Sequence, residues 1–298
     1  MTPEWMDSVC IKGGWDVVLS KDGNGTIEGA LIFHKRKYRG FNLILMPSLT
    51  SYSGIYFNYP PDLKAHSKVS FEVRVINDLL SQLPKHDFLY LQLHPSVTNS
   101  LPFYWNGYDQ STRYTYKIDT SQDEEFIWNN LKGNVRRNIR NAEDQCIVGS
   151  ADMDVFWEHA EASYAARKKE NPFNKEVLEN LHTSVLPLGR MNISIVKSSE
   201  SGKVLGGAIT VSDNDCTYYL AGFYYPNTQP KYAFSYLLWY LIKNNPQSSF
   251  DLEGSIIPEI EQFFRSFGGE LTPHFKVWKV NSFLLKWLFK FKTPSFLR

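Results

Sequence analysis

Hydrophobic and polar positions in the first 120 residues mainly follow the two-residue period of strands, with helical periods between them. Strands are predicted over 15–20, 26–34, 41–46, 87–95 and 112–119. Helices are predicted over 69–83 and 97–106, and a Pro/Ser/Tyr-rich loop precedes the first of them. The pattern predicts a sheet whose strands are separated by helices.

The rest of the chain begins with helices before the strand pattern returns. Helices are predicted over 126–143, 153–169, 174–186 and 231–244, and strands over 191–197, 203–212 and 216–223. The stretch SSFDLEGSIIPEIEQFFRSFGG at 248–269 then combines a short strand, a turn, a helix and a glycine stop. A last strand is predicted in PHFKVWKV.

Two pairs of segments resemble each other in the same order, which indicates an internal duplication. Residues 25–32 (GTIEGALI) match 202–209 (GKVLGGAI), and residues 79–93 match 241–255. The separation falls from 177 to 162 residues because the first copy has a longer loop, within 47–70. We therefore predict the α+β class, with two tandem units that are each a mixed, mostly antiparallel sheet flanked by helices. The predicted segments are a first unit, a second unit and a basic-aromatic tail, at 1–120, 121–280 and 281–298.

Composition excludes several classes of protein. The formal net charge of +1 excludes a globally basic nucleic-acid binder, although a local basic patch stays open. Cys10, Cys146 and Cys216 are odd in number and far apart, which argues against a disulfide framework or a zinc site. The N-terminus has no signal pattern, and no apolar run approaches the roughly 18 residues of a membrane span. We predict a soluble cytoplasmic protein with no metal and no tightly bound cofactor.

Two carboxylates in the stretch 248–269 are the best indication of a functional site. Side chains alternate between the faces of a strand, so Asp251, Glu253 and Ser255 are expected on one side. Two acids on one face of an otherwise apolar strand, next to a helix start, are typical of a site. The alternative is that both carboxylates only form hydrogen bonds to nearby turns.

Four cations lie close together in KGNVRRNIRNAE, without an acid between them. Lys132, Arg136 and Arg140 recur at four-residue spacing along a predicted helix, with Arg137 beside them. This cluster is either a solvated helix face or an anion site, since Arg and Lys suit the geometry of phosphate.

The segment 281–298, NSFLLKWLFKFKTPSFLR, combines aromatic and basic residues, and no acid follows Glu270. Such a composition is typical of an interfacial helix that lies on an anionic membrane surface. The alternative is a terminal helix that packs on its own domain.

Four segments carry a resemblance to a known family: KGNVRRNIRNAE (132–143), GKVLGGAITV (202–211), YYLAGFYYP (218–226) and FDLEGSIIPEIEQFFRSFGGEL (250–271). Their order, together with the duplication, resembles the Fem-type peptidyltransferase family and its acetyltransferase-like relatives. The resemblance implies the GNAT acyltransferase fold in tandem. It covers most of 121–280 and, more faintly, 12–118.

The resemblance implies an enzyme that transfers an acyl or aminoacyl group to an amine. In the Fem branch the donor is aminoacyl-tRNA and the acceptor is a cell-wall precursor peptide, whereas related branches use an acyl thioester such as acyl-CoA. A GNAT enzyme that uses acetyl-CoA usually has a glycine-rich phosphate loop before the helix that follows its hairpin. The corresponding segment here, PNTQPKYAFS at 226–235, has no glycine. This difference favours the Fem-like donor.

Acyl transfer of this kind implies roles for particular residues of the second unit. Asp251 or Glu253 accepts the proton of the amine, Lys231 binds donor phosphate or steadies the oxyanion, and Tyr219 or Tyr232 donates from its hydroxyl. Further substrate contacts are expected from Lys132, Arg136, Arg137, Arg140, Ser235, Ser255, Tyr52, Ser53 and Gly54. The last three lie in the long loop of the first unit and are expected to contact the acceptor.

The two copies differ where the second has its carboxylates, because Leu89 and Leu91 occupy those positions in the first. The chemistry is therefore expected in the second unit, and acceptor binding or a scaffold role in the first. Three functions stay open: a Fem-like aminoacyl or peptidyl transferase, an N-acyltransferase that uses acyl-CoA or an acyl carrier, and a catalytically silent binding module. The expected partners are tRNA, an amine-bearing cell-envelope precursor and, through 281–298, the inner membrane surface as a peripheral contact.

Overall fold

The computed structural model describes residues 1–291, so positions 292–298 of the predicted tail lie outside the described residues. The elements of the first part are α1 (Pro3–Val9), β1 (Gly14–Lys21), β2 (Ile27–Tyr38), β3 (Phe41–Leu45), β4 (Ile55–Phe57), α2 (Ala65–Ser81), β5 (Phe88–Gln92), α3 (Leu101–Trp105) and β6 (Asp109–Asp119). The predicted order of strands and helices is confirmed here. The short elements α1 and β4 are additional.

Among the described residues, the second part contains one more α-helix and one more strand than predicted. Its elements are α4 (Glu124–Asn130), α5 (Gly133–Glu143), β7 (Cys146–Ser150), α6 (Met153–Ala166), α7 (Lys175–Ser184), β8 (Met191–Ser198), β9 (Val204–Ser212), β10 (Cys216–Tyr224), α8 (Ala233–Lys243), β11 (Ser249–Asp251), α9 (Pro258–Arg265), β12 (Glu270–Val280) and α10 (Phe283–Phe291). Among the described residues, none of these helices is both long and apolar enough to cross a membrane.

The prediction of a single helix over 126–143 is wrong. The backbone is extended at Leu131 and Lys132, and this break divides the segment into two helices, α4 and α5. The backbone N–H of Lys132 donates to the carbonyl of Ser266 at 2.9 Å. Gly133 follows, and glycine is about 1 kcal/mol less favourable than alanine inside a helix. The apolar stripe of the sequence therefore belongs to two successive helices.

The chain divides into two compact units. Unit 1 contains Met1–Arg113 and the segment that begins at Pro273, and unit 2 contains Tyr114–Thr272. These bounds differ from 1–120 and 121–280. The reason is that the last strand of each sequence copy completes the sheet of the other unit: β6 pairs with β11 in unit 2, and β12 pairs with β5 in unit 1.

Each unit has the mixed, mostly antiparallel sheet that the sequence predicts, so the α+β class is confirmed. In unit 1 the strand order is β1-β2-β3-β5-β12, with β4 paired to β2, and only β3 and β5 run parallel. In unit 2 the order is β6-β11-β10-β9-β8-β7, and only β10 and β11 run parallel.

Helices cover each sheet with a continuous apolar face. In unit 1 the buried face of α2 packs against strand residues in a cluster that includes Phe71, Val75, Ile76, Leu79, Leu31, Leu89 and Leu91. In unit 2, α5 and α8 share a cluster with β11 that includes Val135, Ile139, Leu238, Trp239 and Phe250. Apolar burial contributes about 25 cal/mol per Å², so these clusters hold the helices on the sheets.

Candidate functional site

The parallel strands β10 and β11 of unit 2 separate after three paired residues. Their pairing ends at Tyr218 and Asp251, where β11 stops, while β10 continues to Tyr224. A register shift between Tyr219 and Ala221 follows directly in the pairing of β10 with β9. Such bulges bend a strand and redirect its side chains. Beyond Tyr218, β11 no longer covers the backbone groups of β10, and we take this opening as the candidate site.

Asp251 is fully buried where the two strands separate, with an exposed fraction of 0%. Its Oδ1 accepts hydrogen bonds from the hydroxyl of Thr115 and from the backbone N–H of Glu253, the latter at 2.7 Å. Glu253 and Gly254 then take left-handed φ angles of 56° and 63°. A Cβ on Gly254 would collide with the carbonyl of Tyr114, so this position needs glycine. The carboxylate of Asp251 therefore holds a tight turn.

The expectation that Asp251, Glu253 and Ser255 share one strand face is wrong, because the strand ends at Asp251 and the left-handed turn breaks the alternation. Glu253 and Ser255 are half-buried. The Oγ of Ser255 accepts a hydrogen bond from the N–H of Ile257 at 3.1 Å, just before α9. The two carboxylates thus differ in position: Asp251 lies inside unit 2, and Glu253 lies in the turn at the opening.

We expect Asp251→Ala to destabilise the chain by about 3 kcal/mol, because the Thr115 hydroxyl and the Glu253 N–H lose their buried acceptor. Urea unfolding followed by circular dichroism measures this change. Asp215→Ala is the matched control, because Asp215 is an exposed aspartate directly before β10 in the same unit. Its replacement should change the free energy of unfolding by less than about 0.5 kcal/mol. Equal stability of both variants would contradict the structural role of Asp251.

Tyr219 lies at the start of the bulge, and its hydroxyl lies next to Gly222, three residues further along β10. Its ring stands edge-on to Phe264 and Phe234, at centroid distances of 5.7 and 6.4 Å. A Cβ at Gly222 would collide with the Tyr219 hydroxyl oxygen, so Gly222 leaves the space that this hydroxyl occupies. The position of the Tyr219 hydroxyl therefore depends on the absence of a side chain at Gly222, three residues away on the same strand.

Burial raises the pKa of Tyr219, the nearby Tyr164 and Glu253 raise it further, and Arg167 lowers it. The hydroxyl is therefore protonated at neutral pH and can donate a hydrogen bond. The electrostatic effect of Glu253 on Tyr219 also means that these two predicted catalytic residues lie in one region of unit 2. Of the predicted catalytic set, Tyr219 and Glu253 are thus brought together.

Arg167 ends α6 and lies between two aromatic rings of this region. Its guanidinium carbon is 4.2 Å from the ring centroid of Tyr164 and 4.6 Å from that of Tyr224. The Nε of Arg167 donates to the carbonyl of Ser163 at 3.2 Å. A guanidinium stacked on rings keeps its remaining donors pointed in fixed directions, which suits carboxylate or phosphate oxygens.

Tyr164, Arg167 and Tyr224 are not among the predicted site residues. A signal was present for the first two, since they stand three residues apart in the helix predicted over 153–169 and so share a face. Tyr224 has no comparable signal, because its contact with Arg167 joins a strand to a helix far away in the sequence.

The residues predicted around the start of α8 divide into exposed and buried positions. Lys231 and Tyr232 are exposed, and Tyr232 takes a left-handed φ of 68° directly before the helix. Ser235 is buried at 7% exposure, because the inner face of α8 packs on the sheet, and its contact with substrate stays a prediction. Phe234 contacts the rings of Tyr219 and Tyr224, so the positive N-terminal end of α8 lies beside the opening.

The basic cluster lies around the first turns of α5. Lys132, Arg137 and Arg140 are exposed and Arg136 is half-buried. Arg136 donates to Asn129 Oδ1 at 3.2 Å, and the Arg140 guanidinium lies 5.3 Å from the ring centroid of Trp128. None of the four forms an ion pair with a residue that the structure describes. The cluster is a cationic surface of unit 2, as an anion site requires.

The predicted acceptor loop forms part of the packed interior of unit 1. Tyr52 and Ser53 are buried at 8% and 3% exposure, and Gly54 is half-buried. The Tyr52 ring stands edge-on to His94 and His274, at 5.4 and 5.1 Å. Burial, with Arg113 and His94 adding to it, lowers the pKa of His274 to about 4, so its imidazole is neutral at physiological pH.

The three cysteines are buried free thiols. Burial raises the pKa of Cys10, Cys146 and Cys216 to about 11, so each remains protonated at neutral pH. A protonated thiol is a poor nucleophile, and these cysteines do not supply one for a covalent intermediate.

Comparisons with known proteins agree with this architecture. Residues 129–251 match the family model of the acetyltransferase (GNAT) domain. The chain is similar to the crystal structure of FemX, with 12% identity, a TM-score of 0.69, and coverage of 98% of this chain and 94% of that chain. No curated protein sequence matches the chain.

Two further solved structures have the same fold. One is the C-terminal domain of a putative lysylphosphatidylglycerol synthetase from Agrobacterium fabrum, with 10% identity, a TM-score of 0.53, and coverage of 88% of this chain and 84% of that chain. The other is a tandem GNAT protein from the clavulanic acid biosynthesis pathway, with 11% identity, a TM-score of 0.50, and coverage of 92% and 93%. The predicted Fem-type, tandem GNAT-like fold is confirmed, and the acetyltransferase (GNAT) domain matched at 129–251 supports the prediction of an acyltransferase.

Proposed function

We propose that this acyltransferase moves an aminoacyl group from aminoacyl-tRNA to an amine of a cell-envelope precursor. The observation that carries the proposal is the opening at the end of β11, where a protonated Tyr219, a half-buried Glu253 and the ring-stacked Arg167 lie around uncovered strand backbone. Unit 2 carries the chemistry in this proposal, and unit 1 binds the acceptor beside the loop of Tyr52, Ser53 and Gly54, in which the half-buried Gly54 is the accessible position.

The transfer needs a proton acceptor, a stabilised oxyanion and positioned reactants. The amine nitrogen attacks the carbonyl carbon of the donor ester, and the bond from that carbon to the donor oxygen breaks. The departing oxygen takes up one proton and leaves as a tRNA hydroxyl, and the amine gives up one proton. Glu253 accepts this proton, while the Tyr219 hydroxyl and the uncovered backbone N–H groups of β10 donate to the oxyanion. Asp251 acts through the turn that places Glu253.

In this proposal, two cationic surfaces of unit 2 bind the negative charges of the donor. Lys132, Arg136, Arg137 and Arg140 hold phosphates of the tRNA, since all four are available at the surface of α5 without an ion-pair partner among the described residues. Lys231 and the N-terminal end of α8 lie beside the opening and attract the negative charge closest to the reacting ester. FemX and the putative lysylphosphatidylglycerol synthetase share the fold, which makes an envelope acceptor the natural choice.

The test is a binding titration of the full chain with charged tRNA and with acetyl-CoA at several salt concentrations. We expect tRNA binding that weakens as salt rises, and we expect Arg136→Ala with Arg137→Ala to reduce the slope of log K against log salt by about 2. Lys168→Ala with Lys169→Ala, two exposed cations after α6, is the matched control that should leave the slope nearly unchanged.

An N-acyltransferase that uses acyl-CoA or an acyl carrier is the second candidate. The GNAT domain match at 129–251 and the helix N-terminus beside the opening favour it. Saturable acetyl-CoA binding without tRNA binding would replace the first proposal with this one. Binding of neither donor, together with no transfer activity in any assay, would instead favour a catalytically silent binding module.

A further inference from the structure

Helix α10 of unit 1 presents one packed face and one exposed apolar face. Leu285 is buried, and Phe289 packs edge-on against Phe88 at 5.4 Å. The opposite face is formed by large apolar side chains with exposed fractions of 85%, 52%, 52% and 41%, namely Phe283, Leu284, Trp287 and Leu288. These four positions are spaced one and four residues apart, so they form one continuous strip along the helix.

Two lysines lie beside the exposed apolar strip of α10, and the helix contains no acid. Lys286 and Lys290 are exposed within the helix, whose sequence from Phe283 to Phe291 is FLLKWLFKF. Long lysine side chains beside aromatic and aliphatic groups can place their charge at the level of lipid headgroups while the apolar groups lie deeper.

The hairpin between β2 and β3 is the second part of this surface. Its turn contains Lys37, Tyr38 and Arg39, which are all exposed, and the guanidinium carbons of Arg36 and Arg39 lie 5.1 and 5.4 Å from the centroid of the Tyr38 ring. Among the described residues, Arg36, Lys37 and Arg39 form no ion pair. The hairpin thus offers three cations around one exposed aromatic ring.

Asp87 joins the start of β3, next to the hairpin turn, to the start of α10. Its carboxylate accepts from the N–H of Asn42 at 2.8 Å, and its N–H donates to the Asn42 carbonyl at 2.8 Å. Its own carbonyl accepts from the N–H groups of Asn281 and Ser282 at 2.8 and 3.1 Å. Phe41, at the end of the turn, packs in the same cluster as Leu285 and Phe289. The hairpin and α10 are therefore neighbours that are held to one another.

We propose that α10 and the β2–β3 hairpin together form a docking surface for an anionic phospholipid bilayer. Exposed apolar rings and leucines insert among the acyl chains near the headgroups, and the cations of the helix and the turn pair with anionic headgroups. A polyanion such as tRNA would leave the exposed apolar side chains of Phe283, Leu284 and Leu288 in water. A second copy of this chain would place two sets of like charges next to each other. This inference does not depend on the proposed donor or acceptor.

The experiment is co-sedimentation of the full chain with vesicles of phosphatidylcholine alone and of phosphatidylcholine with 30 mol% phosphatidylglycerol, about a third of the lipid, as is common in tests of anionic binding. We expect binding to the anionic vesicles and at least about tenfold weaker binding to the neutral ones. Trp287→Ser with Leu288→Ser should weaken anionic-vesicle binding about tenfold or more, because the inserted apolar area is lost. Lys37→Glu with Arg39→Glu should do the same through charge.

Matched controls distinguish binding through this surface from non-specific adsorption to vesicles. Ile147→Ser with Leu188→Ser removes two exposed apolar side chains of unit 2, and Lys168→Glu with Lys169→Glu reverses two exposed cations there. Both controls should bind vesicles like the unchanged chain. Circular dichroism and thermal unfolding check that all variants are folded, since the substituted side chains are exposed.

Three outcomes would overturn the proposal. The first is absence of binding to anionic vesicles, and the second is binding that the control variants weaken as much as the test variants. The third is a stable dimer in sedimentation velocity that Trp287→Ser dissociates, which would assign the apolar strip to a second copy. Because vesicle binding is measured without donor or acceptor, loss of transfer activity alone would count only against the proposed function.

Discussion

We expect Glu253→Gln to lower kcat/KM for amine acylation by about 10²- to 10⁴-fold, because general-base catalysis contributes that much to proton removal. Glutamine keeps the size of the side chain and its hydrogen-bonding carbonyl, but it cannot accept the amine proton. The substitution should leave the turn after Asp251 in place, since the 2.7 Å hydrogen bond to Asp251 comes from the backbone N–H of residue 253, which the variant keeps. Steady-state kinetics with a saturating donor measures the effect.

The pH profile separates a missing base from a displaced turn. If Glu253 is the proton acceptor, the acid limb of kcat/KM should disappear in Glu253→Gln, whereas a distorted turn would lower the rate and keep the limb. Glu259→Gln is the matched control, because Glu259 is an exposed carboxylate in the first turn of α9. Unchanged kcat/KM in Glu253→Gln would refute the general-base role.

Removal of the Tyr219 hydroxyl should be the second large effect, about 10²-fold in kcat for Tyr219→Phe, since loss of one oxyanion donor costs roughly that much in other acyl-transfer enzymes. The raised pKa of Tyr219, caused first by burial, keeps this hydroxyl protonated and able to donate. Phenylalanine preserves the ring contacts with Phe264 and Phe234, so stability should change little.

Gly222 gives an independent test of the same hydroxyl. The methyl group of Gly222→Ala would collide with the Tyr219 hydroxyl and displace it, so this variant should also lose about tenfold or more in kcat. In a Tyr219→Phe background the same change should cost less, because the hydroxyl oxygen is absent and only the milder contacts with the ring carbon Cζ and the Gly207 carbonyl oxygen, both at 3.0 Å, remain. Additive losses in the double variant would contradict the arrangement.

Tyr218→Phe is the matched control on the neighbouring position of β10. It removes the hydroxyl that donates to Asp213 Oδ2 at 2.9 Å. We expect about 1 kcal/mol of lost stability from this hydrogen bond and no comparable change in kcat. A loss of activity as large as in Tyr219→Phe would mean that the strand, and not the Tyr219 hydroxyl, carries the effect.

The repeated segments at 25–32 and 202–209 were sufficient to predict two strand hairpins, and the structure has them as β1–β2 and β8–β9. The similarity between the two copies did not show which sheet the closing strands β6 and β12 join. An alternating pattern tells which residues of a strand are buried but not which sheet the strand joins, so the predicted boundary at residue 120 lies seven residues after the structural one at Arg113.

The candidate site shows the same division between local pattern and three-dimensional placement. Asp251 and Glu253 were identified from their spacing, yet the left-handed φ of Glu253 removes them from a shared face. The position of Arg167 also depends on the ring of Tyr224 in β10, which lies 57 positions further along the chain. Long-range contacts of this kind leave no period in the sequence.

The sequence by itself determined the α+β class, the duplication, the acidic turn in unit 2 and the basic helix that precedes it. Each of these follows from residue types at short spacing, where backbone geometry sets which side chains share a face. The tertiary structure decided the assignment of β6 and β12 to their units, the burial of Asp251 and Ser235, and the meeting of Tyr219, Glu253 and Arg167. These depend on which surfaces pack against each other, and packing is settled by the free energy of the whole fold.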